Sequence, residues 1–446
     1  MNKLLNSAKR HKYIIIFIIL SISFVQYFMH YYPGIIISDT YSQIKQALGL
    51  RSIDNHHPVF QTLIWYIFIH IGKIFKNDNI IVAANSIFQI ICTSAVFTYS
   101  IYYLDKNKIK NKLLILFYAI YPVYGIFSIY TTKDVMFSIC ISFYIIELSK
   151  LIKNPNKILK NKKNIFLFLL SNILVILYKN NGIYIIIITN LFLMIYIKKY
   201  IKKIVSIFII LLFFYILLNN IIFGIFNIKP TQEVEKLGVP LEQINYLVYT
   251  KYDRLDKNIL DKINKYISVE DLRNIYNEEK IDPIKKYFNE EYYKNNKLEF
   301  FKLSFQLFRD YPQETIYSFY IKNRVFFVPN RIKPISIYIK PNIPINVNMS
   351  PIIYNPIIDF IEHNVLKYSK ASIISRMLIS PAINFYAIII LFIYALIRKK
   401  EWILIVPILV VWLTTFVAPG SVYRYVFSSI VCLPYLLFYI CSRTVS

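Results

Sequence analysis

The side chains of this 446-residue chain that could move a proton or hold an anion fall in a few short motifs. These are Ser38-Asp39-Thr40, Asn55-His56-His57-Pro58, Lys133-Asp134, Lys179-Asn180-Asn181-Gly182 and Tyr423-Arg424-Tyr425. A carboxylate within hydrogen-bond reach of a hydroxyl can take its proton. A guanidinium grips a phosphate in two-pronged fashion, and an ammonium attracts it as a point charge. Each motif also has a plain structural reading. Asp39 suits the N-cap of a helix starting near Tyr41, and His57-Pro58 suits a helix start. Lys133 and Asp134 could neutralise each other, and Lys179 and Arg424 could reach lipid headgroups. The residues alone leave both readings open, so the elements that place them matter.

Those elements are apolar. Hydrophobic residues make up 56% of the chain and charged ones 17%, with a mean hydropathy of +0.46; a soluble domain is less apolar and more charged. Eight glycines, with neither a dinucleotide-binding nor a P-loop pattern, argue against a phosphate-cradling loop. The four cysteines lie in apolar runs and imply neither a disulfide framework nor a zinc cluster. A bilayer core takes about 17–25 apolar residues per helix. Ten runs qualify as spans: 13–30, 80–104, 113–130, 135–150, 164–178, 183–197, 203–226, 381–397, 402–417 and 426–441. Lysine and arginine crowd the N-terminal tail, 105–112, 150–163, 198–203, 398–400 and Arg443. Placing these in the cytoplasm fixes the topology. That requires 58–72 to lie in the outer interface as an amphipathic or re-entrant helix, and it puts both termini inside. The net charge of +27 is then mostly a topology signal, and no nucleic-acid partner is expected.

The expected architecture is an all-α polytopic membrane protein of the plasma membrane in three parts. An N-terminal module, 1–226, carries the first outer loop, 31–79; an extracytoplasmic, mainly helical domain spans 227–380; C-terminal spans fill 381–446. In the middle part Leu255, Ile259, Leu260, Ile263 and Ile267 recur at helical spacing. Ser268 to Asp271 reads as a capping box, and Asp282-Pro283 as an N-cap and first helical residue. Aromatic-rich helices are expected at 301–308 and 317–327, packing a small core or resting on the membrane. Prolines 329, 334, 341, 344, 351 and 356 force an extended stretch over 329–356. With this topology all five motifs lie at one outer level, as an outward-opening bowl requires.

In order and spacing these motifs resemble the bacterial GT-C superfamily of membrane glycosyltransferases, over roughly residues 10–440. The likeness rests on Asp39 after the first span, His57-Pro58 before a juxtamembrane helix, Lys133-Asp134, Lys179-Asn180-Asn181-Gly182 and Tyr423-Arg424-Tyr425. Pro240-Leu241-Glu242-Gln243-Ile244 is similar to a Pro-Leu-Gln-Gln-Ile element, with Glu242 replacing the first Gln. Many GT-C enzymes have two adjacent acids in the first outer loop, whereas here Thr40 follows Asp39. A dual-carboxylate metal site in that motif is therefore not implied, and a divalent ion at the donor phosphate stays open.

The resemblance implies an enzyme that passes a sugar from a polyprenyl-phosphate donor to a cell-envelope glycan or lipid-linked acceptor outside the membrane, with inversion. Asp39 would be the base. Arg424 and Lys179 would hold the phosphate, supported by Lys133 and His57. Asp134 would steady Lys133 or help a metal, and Asn181, Gln243 and Tyr423 would contact substrate. A transporter or flippase for lipid-linked glycans, or a non-catalytic scaffold of an envelope-assembly complex, are the competing readings. A flippase calls for charges deep within spans, where this sequence has few.

Overall fold

The computed structural model describes residues 2–278, 280–331, 335, 337–366, 376–377 and 379–442, with side chains from residue 11 onward. Pro334 and Arg443 lie outside the described residues. The principal helices begin with α1 (Asn2–His30), α2 (Ser38–Ala47), α3 (Val59–Ile74), α4 (Asp78–Lys106), α5 (Lys112–Ile120), α6 (Pro122–Ser128) and α7 (Lys133–Lys153). Next come α8 (Lys162–Tyr178), α9 (Gly182–Tyr196) and α10 (Ile201–Ile216). The polar segment contributes α11 (Gly238–Lys251), α12 (Lys297–Asp310) and α13 (Pro312–Phe327). The chain closes with α14 (Pro381–Ile397), α15 (Val406–Phe416) and α16 (Phe427–Cys441). Among the described residues β-pairing is limited to isolated bridges.

Five stretches are long and apolar enough to cross a bilayer: His11–His30, Asp78–Lys106, Lys133–Lys153, Lys198–Ile225 and Tyr423–Cys441. Four more apolar helices are shorter: α8 and α14 have 17 residues, α9 has 15 and α15 has 11. The run 113–130 is not one helix, contrary to the hydropathy reading. Tyr121 is extended and Pro122 starts a new helix, dividing the run into pieces of nine and seven residues. Apolar counting is blind to this, because proline is tolerated at a helix start but breaks one already under way. The 58–72 helix forms as α3, with Trp65 and Ile69 buried toward Ile81 and with Leu63, Tyr66 and Ile67 exposed.

α7 is the hub. Its apolar window is 83% buried, against 17% for Lys198–Ile225 at the periphery, and it packs on α4, α8 and α16. Small residues allow the close approach. The Ser149 and Tyr435 hydroxyls meet at 2.7 Å, tying α7 to α16. α16 contains Pro434, which leaves the carbonyl of Ile430 without its helical donor. The Tyr124 hydroxyl donates to that carbonyl at 2.9 Å, so the helix passes through the proline with its polar groups met.

The polar segment folds around a separate core of Leu241, Ile244, Ile259, Ile263, Leu272, Phe300, Leu303 and Leu307. Ser268 accepts from the Asp271 amide at 3.3 Å, as the capping motif predicts. Asp282 differs from expectation: Ile281 precedes that short helix as its cap, and the Asp282 carboxylate goes to Lys285 at 2.6 Å instead. The lobe grips the chain before α16. The Ile281 amide donates to the Pro419 carbonyl at 3.0 Å, and the Lys322 ammonium to the Ala418 carbonyl at 3.0 Å.

Candidate functional site

Two helix starts are brought side by side. The backbone of Ile35 pairs with Ile129 and Thr131, both at 3.1 Å, and the Thr40 hydroxyl donates to the Thr131 carbonyl. This sets the first turn of α2, with Asp39, against the first turn of α7, with Lys133 and Asp134. Acids in a first turn are favoured by the helix dipole. The N-cap of α2 is Ile37, so Asp39 is not the cap, and its carboxylate is directed to cations.

Those cations converge from distant turns. Asp39 Oδ2 lies 3.0 Å from Arg424 Nη2, 3.3 Å from Lys133 Nζ and 3.9 Å from His57 Nδ1. Asp134 meets Lys179 Nζ at 3.0 Å and Arg424 Nε at 3.5 Å. Arg424 therefore bridges both carboxylates, and Lys133 also donates to His57 Nδ1 at 2.6 Å. That bond places the neutral imidazole proton on Nε2. Side-chain exposures run only from 1% for Asp134 to 16% for Asp39.

The electrostatics follow from this packing. Burial works to raise the Asp39 pKa, but Lys133 and Arg424 beside it hold it well below the usual carboxylate range. Burial, reinforced by the Lys133 charge, pushes His57 down to about 2, so the ring is neutral. Burial also lowers Lys179, against the opposing pull of Asp134. Three cations thus face two carboxylates, leaving one positive charge in a nearly dry site. The Arg424 Nη1 donor is buried with no hydrogen-bond partner among the described residues. An anion would satisfy both the charge and the donor.

Asn181 lies in the Lys179 turn with its Oδ1 buried and without a hydrogen-bond partner among the described residues. At Gly182 a Cβ would stand 2.2 Å from the Val175 carbonyl, so only glycine lets α8 and α9 close on this turn. Tyr423 is buried, with its ring 5.7 Å from that of Phe127. Gln243 is not in the site. It clamps the lobe, donating to the Ser304 carbonyl at 3.0 Å and to Thr315 at 3.1 Å while accepting from Ser304 at 2.7 Å. An amide reads the same in sequence whether it clamps helices or holds a ligand.

Other participants come from the structure. The Tyr425 ring lies 5.2 Å from Lys179 Nζ and 5.4 Å from the Arg424 guanidinium carbon. A polar cavity of about 610 Å³ opens from Asp39 and His57 toward Arg51, Asp54, Lys229 and Glu235. Arg51 pairs with Asp54 at 2.8 Å. Across the 53–58 loop is a second, apolar cavity of about 230 Å³, whose walls include Phe60, Leu63, Ile176, Tyr215 and Phe223. Asn55 is held between them, its carbonyl accepting from Asn180 at 2.5 Å and Thr231 at 2.6 Å.

His30, Asp359 and Glu362 offer ligand atoms within 4.8 Å of one another, away from these charges. The Asn355 amide donates to His30 Nδ1 at 3.0 Å. The neutral ring then carries its proton on Nε2 and has no lone pair left for an ion. At the ion cluster itself a metal would have to take Asp39 or Asp134 from cations already bound to them.

Residues 51–445 match the family of unknown function DUF6020, and the chain belongs to that family. No curated protein and no solved structure matches it.

Proposed function

We propose that the protein is a membrane glycosyltransferase of GT-C type that moves a sugar from a polyprenyl-phosphate donor to an envelope glycan acceptor. In this reading the ten apolar runs cross the bilayer, 113–130 as a broken helix and the shorter helices where the bilayer is locally thinned. Both termini are cytoplasmic and the ion cluster faces outward. The observation that carries the proposal is the surplus positive charge of the cluster, with Arg424 Nη1 buried and without a hydrogen-bond partner among the described residues. A polar cavity on one side and an apolar one on the other supply room for a sugar and for the start of a lipid tail.

At rest Asp39 is a weak base, because Arg424 and Lys133 stabilise its charge. A donor phosphate would draw both cations toward itself and leave Asp39 less neutralised, raising its basicity where it is needed. The acceptor hydroxyl then gives its proton to Asp39 as its oxygen attacks the sugar C1. The C1–O bond to phosphate breaks with its electron pair on the phosphate, which Arg424 and Lys179 hold. Attack opposite the leaving group inverts C1. No acid is required, because the negative charge that grows on the leaving oxygen as the bond breaks is stabilised by these cations.

The test is a strain lacking the protein, complemented at matched membrane abundance with wild type or Asp39→Asn. If wild type restores a missing envelope sugar while Asp39→Asn accumulates the polyprenyl-linked sugar, the reading stands. Full restoration by Asp39→Asn removes the base and moves transport or scaffolding ahead.

A further inference from the structure

α12 has two apolar faces. Phe300, Leu303 and Leu307 enter the lobe core. Leu298, Phe301, Phe305 and Phe308 form a second stripe at helical spacing, 69%, 49%, 68% and 45% exposed. Exposed stripes of this size on one helix mark a contact surface. Lys297 stands on one flank of the stripe, and Lys302 and Arg309 on the other. Large apolars between basic flanks are the pattern of a helix lying in a membrane interface.

α13 continues the surface. It exposes Ile316, Tyr317 and Tyr320. Tyr317 and Tyr320 rings lie 6.2 Å apart, Tyr320 stacks on Phe327 at 6.2 Å, and Phe327 meets Phe385 of α14 at 6.1 Å. The Tyr386 hydroxyl donates to the Phe327 carbonyl at 2.8 Å. Below it on α14, Ile390, Ile393 and Ile397 are exposed on the same apolar helix. A ladder of rings therefore joins the lobe to the face of α14 that lipid would cover, and its upper rungs are tyrosines, which favour the headgroup level.

We infer that the α12–α13 hairpin is a second membrane-binding element, seated in the headgroup region of the outer leaflet through Leu298, Phe301, Phe305, Phe308 and the Tyr317–Tyr320 rungs. It rests on the outward orientation of the lobe proposed above, and is independent of the sugar chemistry. The partner is the lipid headgroup layer itself rather than one headgroup charge, because Lys297 and Arg309 already pair with Glu233 at 3.0 Å and Asp310 at 2.8 Å. Such seating fixes the lobe, and through it the Pro419 turn that precedes Arg424, at a set height above the bilayer.

The test uses the full chain in phosphatidylcholine–phosphatidylglycerol vesicles, with Cys441→Ser removing the exposed native thiol. A fluorophore is attached at Phe305→Cys, with Leu298→Cys as a second reporter should the first not fold. Lys257→Cys, on an exposed polar helix of the lobe, serves as the aqueous control, and Ile18→Cys, on the exposed face of α1, as the bilayer control. The expected result is that lipids spin-labelled near the headgroup quench positions 298 and 305 while iodide loses access to them. Lys257 should show the reverse, and Ile18 should respond to deep spin labels. Iodide access at 298 and 305 equal to that at 257 overturns the proposal. So does protection that appears only when two copies share a vesicle, which assigns the stripe to a second copy. Failure of Ile18 to respond overturns the membrane reading beneath it instead.

Discussion

Asp39 and Glu242 are both buried carboxylates, and their surroundings treat charge in opposite ways. Around Asp39 stand Arg424 and Lys133 at 3.0 and 3.3 Å, so the ionised form is the stable one. Glu242 is 1% exposed, and both its oxygens are buried without a hydrogen-bond partner among the described residues. Asn245, one turn on, and the nearby Tyr276 hydroxyl are buried in the same way. Lys322, the facing cation, spends its ammonium on the Ala418 carbonyl at 3.0 Å, and Glu278, facing too, pairs with Arg324. Burial therefore pushes Glu242 up to about 8, with Lys322 opposing and Glu278 adding to the rise. In the proposed reading one cluster holds charge for an incoming anion, whereas the other keeps its carboxyl neutral.

The largest expected effect breaks the first cluster at its bridge. Arg424→Ala should lower sugar transfer about a hundredfold or more, the usual loss for one preorganised donor. Arg424→Lys should recover little, because an ammonium cannot span two carboxylates in the guanidinium plane. Envelope sugar content at matched protein abundance measures both. Lys179→Met comes next, since it leaves Asp134, 1% exposed, with Arg424 alone. A buried charge robbed of its partner costs about 3–5 kcal/mol. The double variant Lys179→Met with Asp134→Leu should regain most of the thermal stability in detergent but not the activity. A double variant as unstable as the single one would refute the pairing.

Why the first cluster was legible and the second was not follows from the same contrast. An ionised group at the end of an apolar run is costly, so Asp39, Lys133, Asp134, Lys179 and Arg424 stand out by position alone. Their convergence needed only the assumption that the turns lie at one level. Arg51, Asp54 and Glu235 carry no such signal, because a charge in a polar stretch is the ordinary case. Tyr425 stands in the Tyr423-Arg424-Tyr425 motif without a role of its own there, because ring contacts carry no sequence signal. The division at Pro122 escaped hydropathy, while Pro434, read by the same rule, does not break α16, because Tyr124 from elsewhere supplies the lost donor. The motif around Gln243 points to the site, whereas its amide bonds Ser304 and Thr315 within the lobe.

The two clusters should also separate by pH. Between the ordinary glutamate value of 4.5 and about 8 the folded protein holds a proton at Glu242 that the unfolded chain releases. Stability contributed there is complete below that window and lost as pH rises through it. His57 has the opposite sign: its folded pKa of about 2 lies under the ordinary histidine value of 6.5, so the unfolded chain binds the extra proton. Its contribution is present above 6.5 and fades as pH falls. Melting temperature against pH should therefore bow on both sides. Glu242→Gln should flatten the alkaline limb alone, and His57→Asn the acid limb alone. A Glu242→Gln profile parallel to wild type at every pH would mean that carboxyl is already ionised and its cluster resembles the first.

The smallest effect belongs to Gln243, and it sharpens the boundary between lobe and site. Its side chain joins α11 to Ser304 of α12 and Thr315 of α13 through contacts of 2.7–3.1 Å. Gln243→Ala removes these but leaves the Ser304 hydroxyl and carbonyl near the surface, where water can replace part of what is lost. The cost should be about 1–2 kcal/mol in lobe stability, seen as faster hydrogen exchange in α12 and α13. Sugar transfer at matched abundance should stay within about twofold of wild type, since an uncharged clamp in the lobe supplies no transition-state stabilisation. A tenfold loss with exchange unchanged would return Gln243 to the substrate and make the lobe part of the site. Because Gln243 adjoins Glu242 in sequence, the pair also separates local from shared effects. Gln243→Ala should shift the melting curve down evenly with pH, whereas Glu242→Gln should change its slope.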